Sequence, residues 1–420
     1  MYPNPQGALP LPSRPSLEQY RKRAKELLWL CHAGDQQALH NWIRQWIESL
    51  VRLAGLEITS QMPVRVDHWV DQFEEFARTR CCSSTGGGSL TDAQFVIARA
   101  HGFESWPKLA KHLQAFEGGG SLVSDFLKAA DAIVAGDAAA LKMLLQTNPA
   151  LARARSTREH NATLLHYVSA NGVEGFRQKT PGNAVEIVDM LLSAGVDANA
   201  LADVYGGHTT TLELVATSVH PERAGVQNEL MQLLLDRGAV IDGGKDSIIN
   251  SCLFNGRIRA ADFLAAHGAR MDFAAASALG RLDIVKEKFA KEDASPSETE
   301  RAFLWACQYG HNEVIEFLLS RDQKLLQTAY EGQTALHSAI LGGQSRTVEL
   351  LLRKGASLTT KNVYGGTALD QAVWSATHTD SGLDYLSIID LLVKAGSQMD
   401  SETATWFAKY RDGMAKKSRQ

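Results

Sequence analysis

Gly332-Gln333-Thr334-Ala335-Leu336-His337-Ser338-Ala339, followed shortly by Val348-Glu349-Leu350-Leu351-Leu352-Arg353-Lys354-Gly355-Ala356, is the stretch from which the rest of the chain can be read. A turn glycine precedes a threonine suited to start a helix, and a short helix follows. A second, leucine-rich helix then runs to a glycine that can end it in the left-handed region. Neither helix is long enough to be stable alone, so the pair must bury its apolar stripe against neighbours of the same kind.

Those neighbours are present. Leu144-Leu145 with Asn148-Pro149, Leu191-Leu192-Ser193-Ala194-Gly195, Leu233-Leu234-Leu235-Asp236-Arg237-Gly238-Ala239, Phe263-Leu264-Ala265-Ala266-His267-Gly268-Ala269 and Leu391-Leu392-Val393-Lys394-Ala395-Gly396 each close a helix pair. Gly136, Gly280 and Gly310 mark turns between paired helices. Thr163-Leu164-Leu165-His166 and Thr367-Ala368-Leu369-Asp370 repeat the opening stretch, and eight helix pairs are predicted.

The pattern G-x-T-A-L-H-x-A with its Leu-Leu-x-x-Gly-Ala close resembles the ankyrin repeat, with Ala335 where that family usually has proline. The resemblance implies an all-α, ankyrin-type α-solenoid with short hairpin loops. Its usual period is about 33 residues, and here the glycine spacings are uneven. Gly195 to Gly238 is 43 residues, Gly238 to Gly268 is 30 and Gly355 to Gly396 is 41. The extra length falls at Val173–Asn183, His220–Gln227 and Ala376–Leu383, which are expected to project from one edge of the stack. Val204-Tyr205-Gly206-Gly207 and Val363-Tyr364-Gly365-Gly366 share a hairpin tip in two of the long repeats.

Ahead of the repeats, residues 1–15 are proline-rich and lack the apolar core of a signal peptide, so they are read as a disordered leader. Residues 16–117 form a helical N-terminal module. Ser16 with Gln19, and Thr91 with Gln94, are candidate capping boxes. Leu39, Trp42, Ile43, Trp46, Ile47 and Leu50 make a helical core stripe, and a further helix is expected around Trp69, Phe73 and Phe76. Ser83–Ser89 and Glu117–Ser121 read as flexible linkers. The repeats then occupy 121–400, and 401–420 form a cap helix and tail, with Trp406 and Phe407 turned inward. The polar helix around Lys128, Asp131 and Asp137 is expected to cap the other end of the stack. Asp92-Ala93-Gln94-Phe95-Val96-Ile97-Ala98-Arg99, Gly102-Phe103 and Ser105-Trp106-Pro107 look like a segment that precedes the repeats in a group of bacterial ankyrin proteins. That likeness implies a bacterial source.

Composition narrows the function. Lys+Arg of 43 against Asp+Glu of 47 gives a net charge of −4, which argues against an overall grip on nucleic acid or on an anionic membrane. No apolar run reaches the roughly 20 residues that span a bilayer. Cys31, Cys81, Cys82, Cys252 and Cys307 are odd in number and lack C-x-x-C spacing, which fits a reducing, cytoplasmic setting, with Cys81-Cys82 read as two reduced thiols in a loop. Phosphate-loop, dinucleotide, zinc-protease and nucleophile-elbow motifs are missing, so no catalytic residue, cofactor or metal ligand is assigned. His166 and His337 occupy the family's T-x-L-H position, where the ring ties down backbone.

The resemblance implies binding through hairpin tips and the exposed ends of first helices. By position these are Ala170 and Asn171, Thr217 and Ser218, Phe254 and Asn255, Ala278 and Leu279, Gln308 and Tyr309, Leu341 and Gly342, and Trp374 and Ser375, with Tyr205, Tyr330, Glu331, Gln333 and Tyr364 at the tips. The predicted partner-binding set is Tyr205, Phe254, Asn255, Gln308, Tyr309, Tyr330, Leu341, Tyr364 and Trp374. Two functions are carried forward. One is a non-enzymatic scaffold that binds a protein partner on the concave face, with Trp374 and Tyr364 flanking a groove floored by Leu341 and Tyr309. The other is an enzyme or small-molecule binder with a charged pocket beneath the insertions.

Overall fold

A computed structural model of the chain describes residues 4–56, 62–82, 88–117, 120–242, 247–291, 295–330, 332–378, 383–399, 401, 404–409 and 411. The chain divides into two compact units, Met1–Leu264 and Ala265–Gln420. Each is built from helix pairs with the predicted order, and the eight pairs are all present among the described residues.

The first unit opens with α1 (Leu17–Ala33), α2 (Gln36–Leu53), α3 (Met62–Cys81), α4 (Leu90–Ala100) and α5 (Trp106–Glu117). Their apolar faces close one core containing Tyr20, Leu27, Ile43, Ile47, Trp69, Phe73, Ile97 and Phe103. Trp46 meets Phe73 edge-on at 5.3 Å, so the tryptophan stripe is core. Gly34 ends α1 at φ 71°, and Asp35 then caps α2 by accepting the Ala38 N–H at 3.0 Å. The cap of α4 differs from expectation. Ser89 and Asp92 form the capping box, two residues earlier than Thr91 and Gln94, and Ser16 makes no side-chain cap bond.

Residues 4–15 are not a loose leader. Ala8 and Leu9 are fully buried, Leu9 N–H donates to Ala100 O at 2.8 Å, and His101 Nδ1 donates to Leu9 O at 3.1 Å. Prolines cut the entropy lost on ordering such a segment, and two buried apolar residues anchor it. Another departure is Cys82, which is joined to Cys31 in a disulfide with Cα atoms 4.9 Å apart, while Cys81 is a separate buried thiol at the end of α3. The pairing follows from helix packing that sets the ends of α1 and α3 side by side. It also removes the cysteine count as an argument for a reducing compartment. Of the two glycine-rich stretches, residues 83–87 and 118–119 lie outside those described. Gly88 and Ser89 are ordered, and Ser121 caps the next helix.

The repeats of the first unit are α6 (Leu122–Ala135) with α7 (Ala138–Thr147), the 3₁₀ helix Leu164–Ser169 with α8 (Ala184–Ser193), α9 (Thr211–Thr217) with α11 (Gln227–Asp236), and α12 (Ile248–Phe254) with α13 (Ile258–Ala266). The short helix α10 (Val219–Arg223) stands between α9 and α11, and the hairpin β1 (Leu201–Val204) and β2 (Gly207–Thr210) precedes α9. The insertion at 173–183 does not project. It folds inward as a 3₁₀ turn, Gly175–Arg177, with Val173, Glu174 and Arg177 buried. α6 is not a free polar cap either, because Asp131 is engaged by Arg177 of that insertion at 2.7 Å.

The second unit contains α14 (Phe273–Ala278) with α15 (Leu282–Ala290), α16 (Pro296–Tyr309) with α17 (Asn312–Arg321), the two-residue strands β3 (Ala329–Tyr330) and β4 (Gln333–Thr334), α18 (Ala335–Leu341) with α19 (Ser345–Arg353), and α20 (Ala368–His378) with α21 (Tyr385–Lys394). First helices α14, α16, α18 and α20 pack in that order, and their buried faces share one core. Stacking is tight where glycine permits it. A β-carbon at Gly342 would overlap the Gln308 carbonyl oxygen, and one at Gly310 would overlap the Gln344 side chain. The 404–409 segment is helical and adds buried Phe407 and half-buried Trp406 to this core; residues 412–420 lie outside those described. The insertion at 376–383 begins inside α20, and its residues 379–382 also lie outside those described.

Candidate functional site

The two T-x-L-H histidines are structural. Thr163 N–H donates to His166 Nδ1 at 3.1 Å, which leaves the ring proton on Nε2. His337 spans two repeats: Nδ1 lies 2.8 Å from Thr334 Oγ1, and Nε2 donates to Gly366 O at 3.1 Å. Burial pushes the His166 ring down to about 4 and lowers that of His337, so both stay neutral. Asp370 fills the corresponding place in the last repeat, its carboxylate accepting from Thr367 N–H and Oγ1–H at 2.8 Å each. A carboxylate serves because the position needs only an acceptor at the helix start.

In the first unit, the predicted tip residue Tyr205 is tied down. It sits at φ 53°, and its hydroxyl accepts from Gln6 Nε2 at 2.6 Å and from Gly172 N–H at 3.2 Å while donating to Asn171 Oδ1. Asn171 in turn donates to Thr217 Oγ1 at 3.2 Å. These residues line one end of an open polar cleft of about 620 Å³, which continues past Ser218 and His220 to Asn255 and the Glu222–Arg257 ion pair. The geometry thus joins Tyr205, Asn171, Thr217 and Asn255. Phe254, beside the cleft at the end of α12, is 70% exposed.

In the second unit, Gln308, Leu341 and Trp374 occupy the same register on successive first helices. Gln308 is half-buried, whereas Leu341 is 45% and Trp374 52% exposed. Ala278, one repeat earlier in that register, is fully buried, so apolar exposure rises along the row. Trp374 stacks flat on His378 at 4.8 Å, which holds its ring at the surface. Tyr364 at the hairpin tip is 86% exposed, Tyr309 is half-buried, and Gly342 beside it admits the close approach of α16 and α18. Gln333 is half-buried; the side chain of Tyr330, and Glu331, lie outside those described.

Sequence reading missed a buried charge cluster in the first unit. Arg158 Nε lies 2.8 Å from Glu174 Oε1, with both side chains almost wholly enclosed. The contact is an ion pair without hydrogen-bond alignment. Arg177 Nη1 stands 3.6 Å from the same oxygen and His160 Nε2 3.4 Å. Burial alone would raise the Glu174 carboxyl, but Arg158 and Arg177 outweigh it and hold the group well below the carboxylate range. His101 and His112 are pushed down to about 3 by burial and then by the Arg158 charge. A signal was available in Glu174 and Arg177, two opposite charges three residues apart in an insertion that is expected from sequence to project from the stack.

Paired helices, neutral capping histidines, left-handed glycine turns and hairpin tips together have the form of ankyrin repeats. Residues 273–362 and 303–403 match the family model for ankyrin repeats in three copies. Over 183 residues the chain is 28% identical to the ankyrin repeat and KH domain-containing protein mask-1 of Caenorhabditis elegans, which is 41% of this chain and 7% of that protein. It is 42% identical to inversin of Danio rerio over 65 residues, 15% of this chain and 6% of that one. The chain therefore spans less than a tenth of the length of these relatives. Among solved structures, the ankyrin repeat domain of human ASB11 aligns at 17% identity and a TM-score of 0.33, covering 65% of this chain and 99% of that one. The ankyrin repeat domain of Bcl-3 aligns at 19% and 0.30, covering 63% and 97%. Among the described residues, no helix is long and apolar enough to cross a membrane, and no group of three or more His, Cys, Asp or Glu could hold a metal ion.

Proposed function

We propose that the second unit is a protein-interaction module whose binding surface is the row Gln308, Leu341 and Trp374 with Tyr364 at the adjoining tip. The observation that carries this reading is the exposure of Leu341, Trp374 and Tyr364 at 45, 52 and 86%. Large apolar side chains left in water on a rigid, repeated frame are the type that anchors protein interfaces. Ankyrin repeats generally serve protein–protein recognition, which supports the same class of partner. Tyr309 contributes to the floor of this surface, and Tyr330 remains part of the proposed set. Tyr205, Phe254 and Asn255 form a second, more polar contact region on the first unit, where Tyr205 acts through its ring edge because its hydroxyl is engaged. The likeness of residues 92–107 supports a bacterial source.

The test is capture from a bacterial lysate on the immobilised chain, followed by mass spectrometry and affinity measurement with the captured protein. Trp374→Ala is expected to weaken that complex by roughly 30-fold, the effect of losing an anchor worth about 2 kcal/mol. Its melting temperature should stay close to that of the parent, because half of the ring is already in water. A large fall in melting temperature, or full retention of the partner, would remove this surface from consideration.

A further inference from the structure

Cys31 lies in the last turn of α1 and Cys82 directly follows the last residue of α3, so their bond ties two helix ends together across 51 residues. Three of the five cysteines are gathered at this corner of the N-terminal module, with Cys81 beside the bond as a buried free thiol. The disulfide is reachable from solvent. Both of its cysteines line an open depression of about 310 Å³, and Cys82 is half-buried. The charged neighbours in that depression are already engaged, Arg78 with Glu74 and Asp35 with the Ala38 N–H.

Cys81 does not open the bond itself. Burial, and then the Asp92 carboxylate, push its thiol up to about 12, so it stays protonated. The thiolate, not the thiol, attacks a disulfide, and the reductant must therefore come from outside the chain. The bond also governs the end of α3. In its last turn Arg78, Thr79 and Arg80 are exposed, and only Cys81 is buried. Besides the disulfide, the turn is held by Arg78 on Glu74, by Arg80 over the Phe95 ring at 5.1 Å and by Thr79 Oγ1 donating to Glu75 O at 2.9 Å. Gly88 N–H donates to Cys81 O at 2.9 Å, and His32 Nε2 donates to Gly88 O at 2.9 Å. Such contacts are individually weak.

We propose that Cys31–Cys82 is a site of reversible thiol–disulfide exchange with a small dithiol, and that its opening releases the last turn of α3 and uncovers the Cys81 thiol. The reagent's thiolate attacks Cys82 Sγ, the more accessible sulfur, and the Cys31 sulfur leaves as a thiolate that takes a proton from water. The reagent's second thiolate then attacks its own sulfur in the mixed disulfide and displaces Cys82. Two electrons and two protons pass to the protein, and the dithiol closes to a cyclic disulfide. This site is independent of the surface proposed for a protein partner.

The test uses the full chain, purified without reductant, with dithiothreitol as the probe. In denaturant, three thiols should titrate before reduction and five after it. Under native conditions, reduction should speed tryptic cutting after Arg78 and Arg80 by roughly tenfold, because the cut follows the population of the opened turn. Reoxidation with glutathione disulfide should restore slow cutting. Iodoacetamide should label Cys31, Cys81 and Cys82 of the reduced chain, while buried Cys252 and Cys307 stay protected. Cys31→Ser should be cut at the reduced rate with or without dithiothreitol. Five thiols before reduction, cutting at Arg78 and Arg80 that ignores dithiothreitol, or fast cutting that persists after reoxidation would each overturn the proposal. So would labelling of Cys252 in step with Cys81, since the whole unit would then be unfolding.

Discussion

Arg158 and Glu174 face each other at 2.8 Å in the interior of the first unit, with side-chain exposures of 2 and 0%. Around them, Arg158 also donates to His101 O, and Arg177 joins the same carboxylate to Asp131 on α6. The pair thus links the N-terminal module, the second repeat's insertion and the first repeat.

Glu174→Gln is expected to destabilise the first unit by about 3–5 kcal/mol, since it leaves the buried Arg158 guanidinium without its counter-charge and Arg177 with Asp131 alone. Urea unfolding would measure this. A double change of Arg158 to Met and Glu174 to Leu should cost less than Glu174→Gln, because it removes the Arg158 charge that Glu174→Gln strands, while Arg177 keeps Asp131 in both variants.

Acid should destabilise the first unit well before general carboxylate protonation. His101 and His112, held at about 3, and His166, at about 4, are neutral in the fold. Arg158 faces both of the first two, Glu174 and Arg177 also face His112, and Arg155 and His160 face His166. The unfolded chain takes up these protons near pH 6.5 and the folded chain does not. The stability they contribute is therefore present above about 6.5 and is lost as pH falls toward 4 and then 3, at about 1.4 kcal/mol per pH unit for each ring. Glu174 acts with the same sign at lower pH. Urea melts between pH 7 and 5 check the slope, and His112→Phe should reduce it by one histidine's share.

Two glycines in the second unit should respond differently to alanine. Gly342 has an ordinary backbone conformation but no room, whereas Gly355 has open space at φ 86°. Gly342→Ala must push α16 from α18 and is expected to cost at least the 1–3 kcal/mol typical of overpacking, roughly. Gly355→Ala meets only left-handed strain, about 1 kcal/mol. The reverse order in thermal melting would contradict the stacking described.

Tyr205→Phe removes one oxygen that serves Gln6, Asn171 and Gly172. A loss of about 1–3 kcal/mol is expected from the stranded polar groups. Faster proteolytic cutting near residues 4–7, compared with the parent chain, is the more specific readout. Unchanged cutting would mean that Leu9 alone holds the segment.

What the sequence determined by itself is the local grammar of the repeats. Thr-x-x-His starts, leucine-rich second helices and left-handed glycines act within four or five positions along the chain, and they appear where they were read. Tertiary structure decided the remainder. Val-Tyr-Gly-Gly occurs twice, yet Tyr205 is bound through its hydroxyl and Tyr364 stands 86% exposed. The difference is Gln6, which arrives from 199 residues away. The ordered N-terminal segment, the Cys31–Cys82 bond across 51 residues and the inward turn of Glu174 and Arg177 have the same origin. Each depends on a partner distant along the chain. Such partners leave no periodic trace, because contact between remote segments is set by how whole helices pack and not by spacing within any one of them.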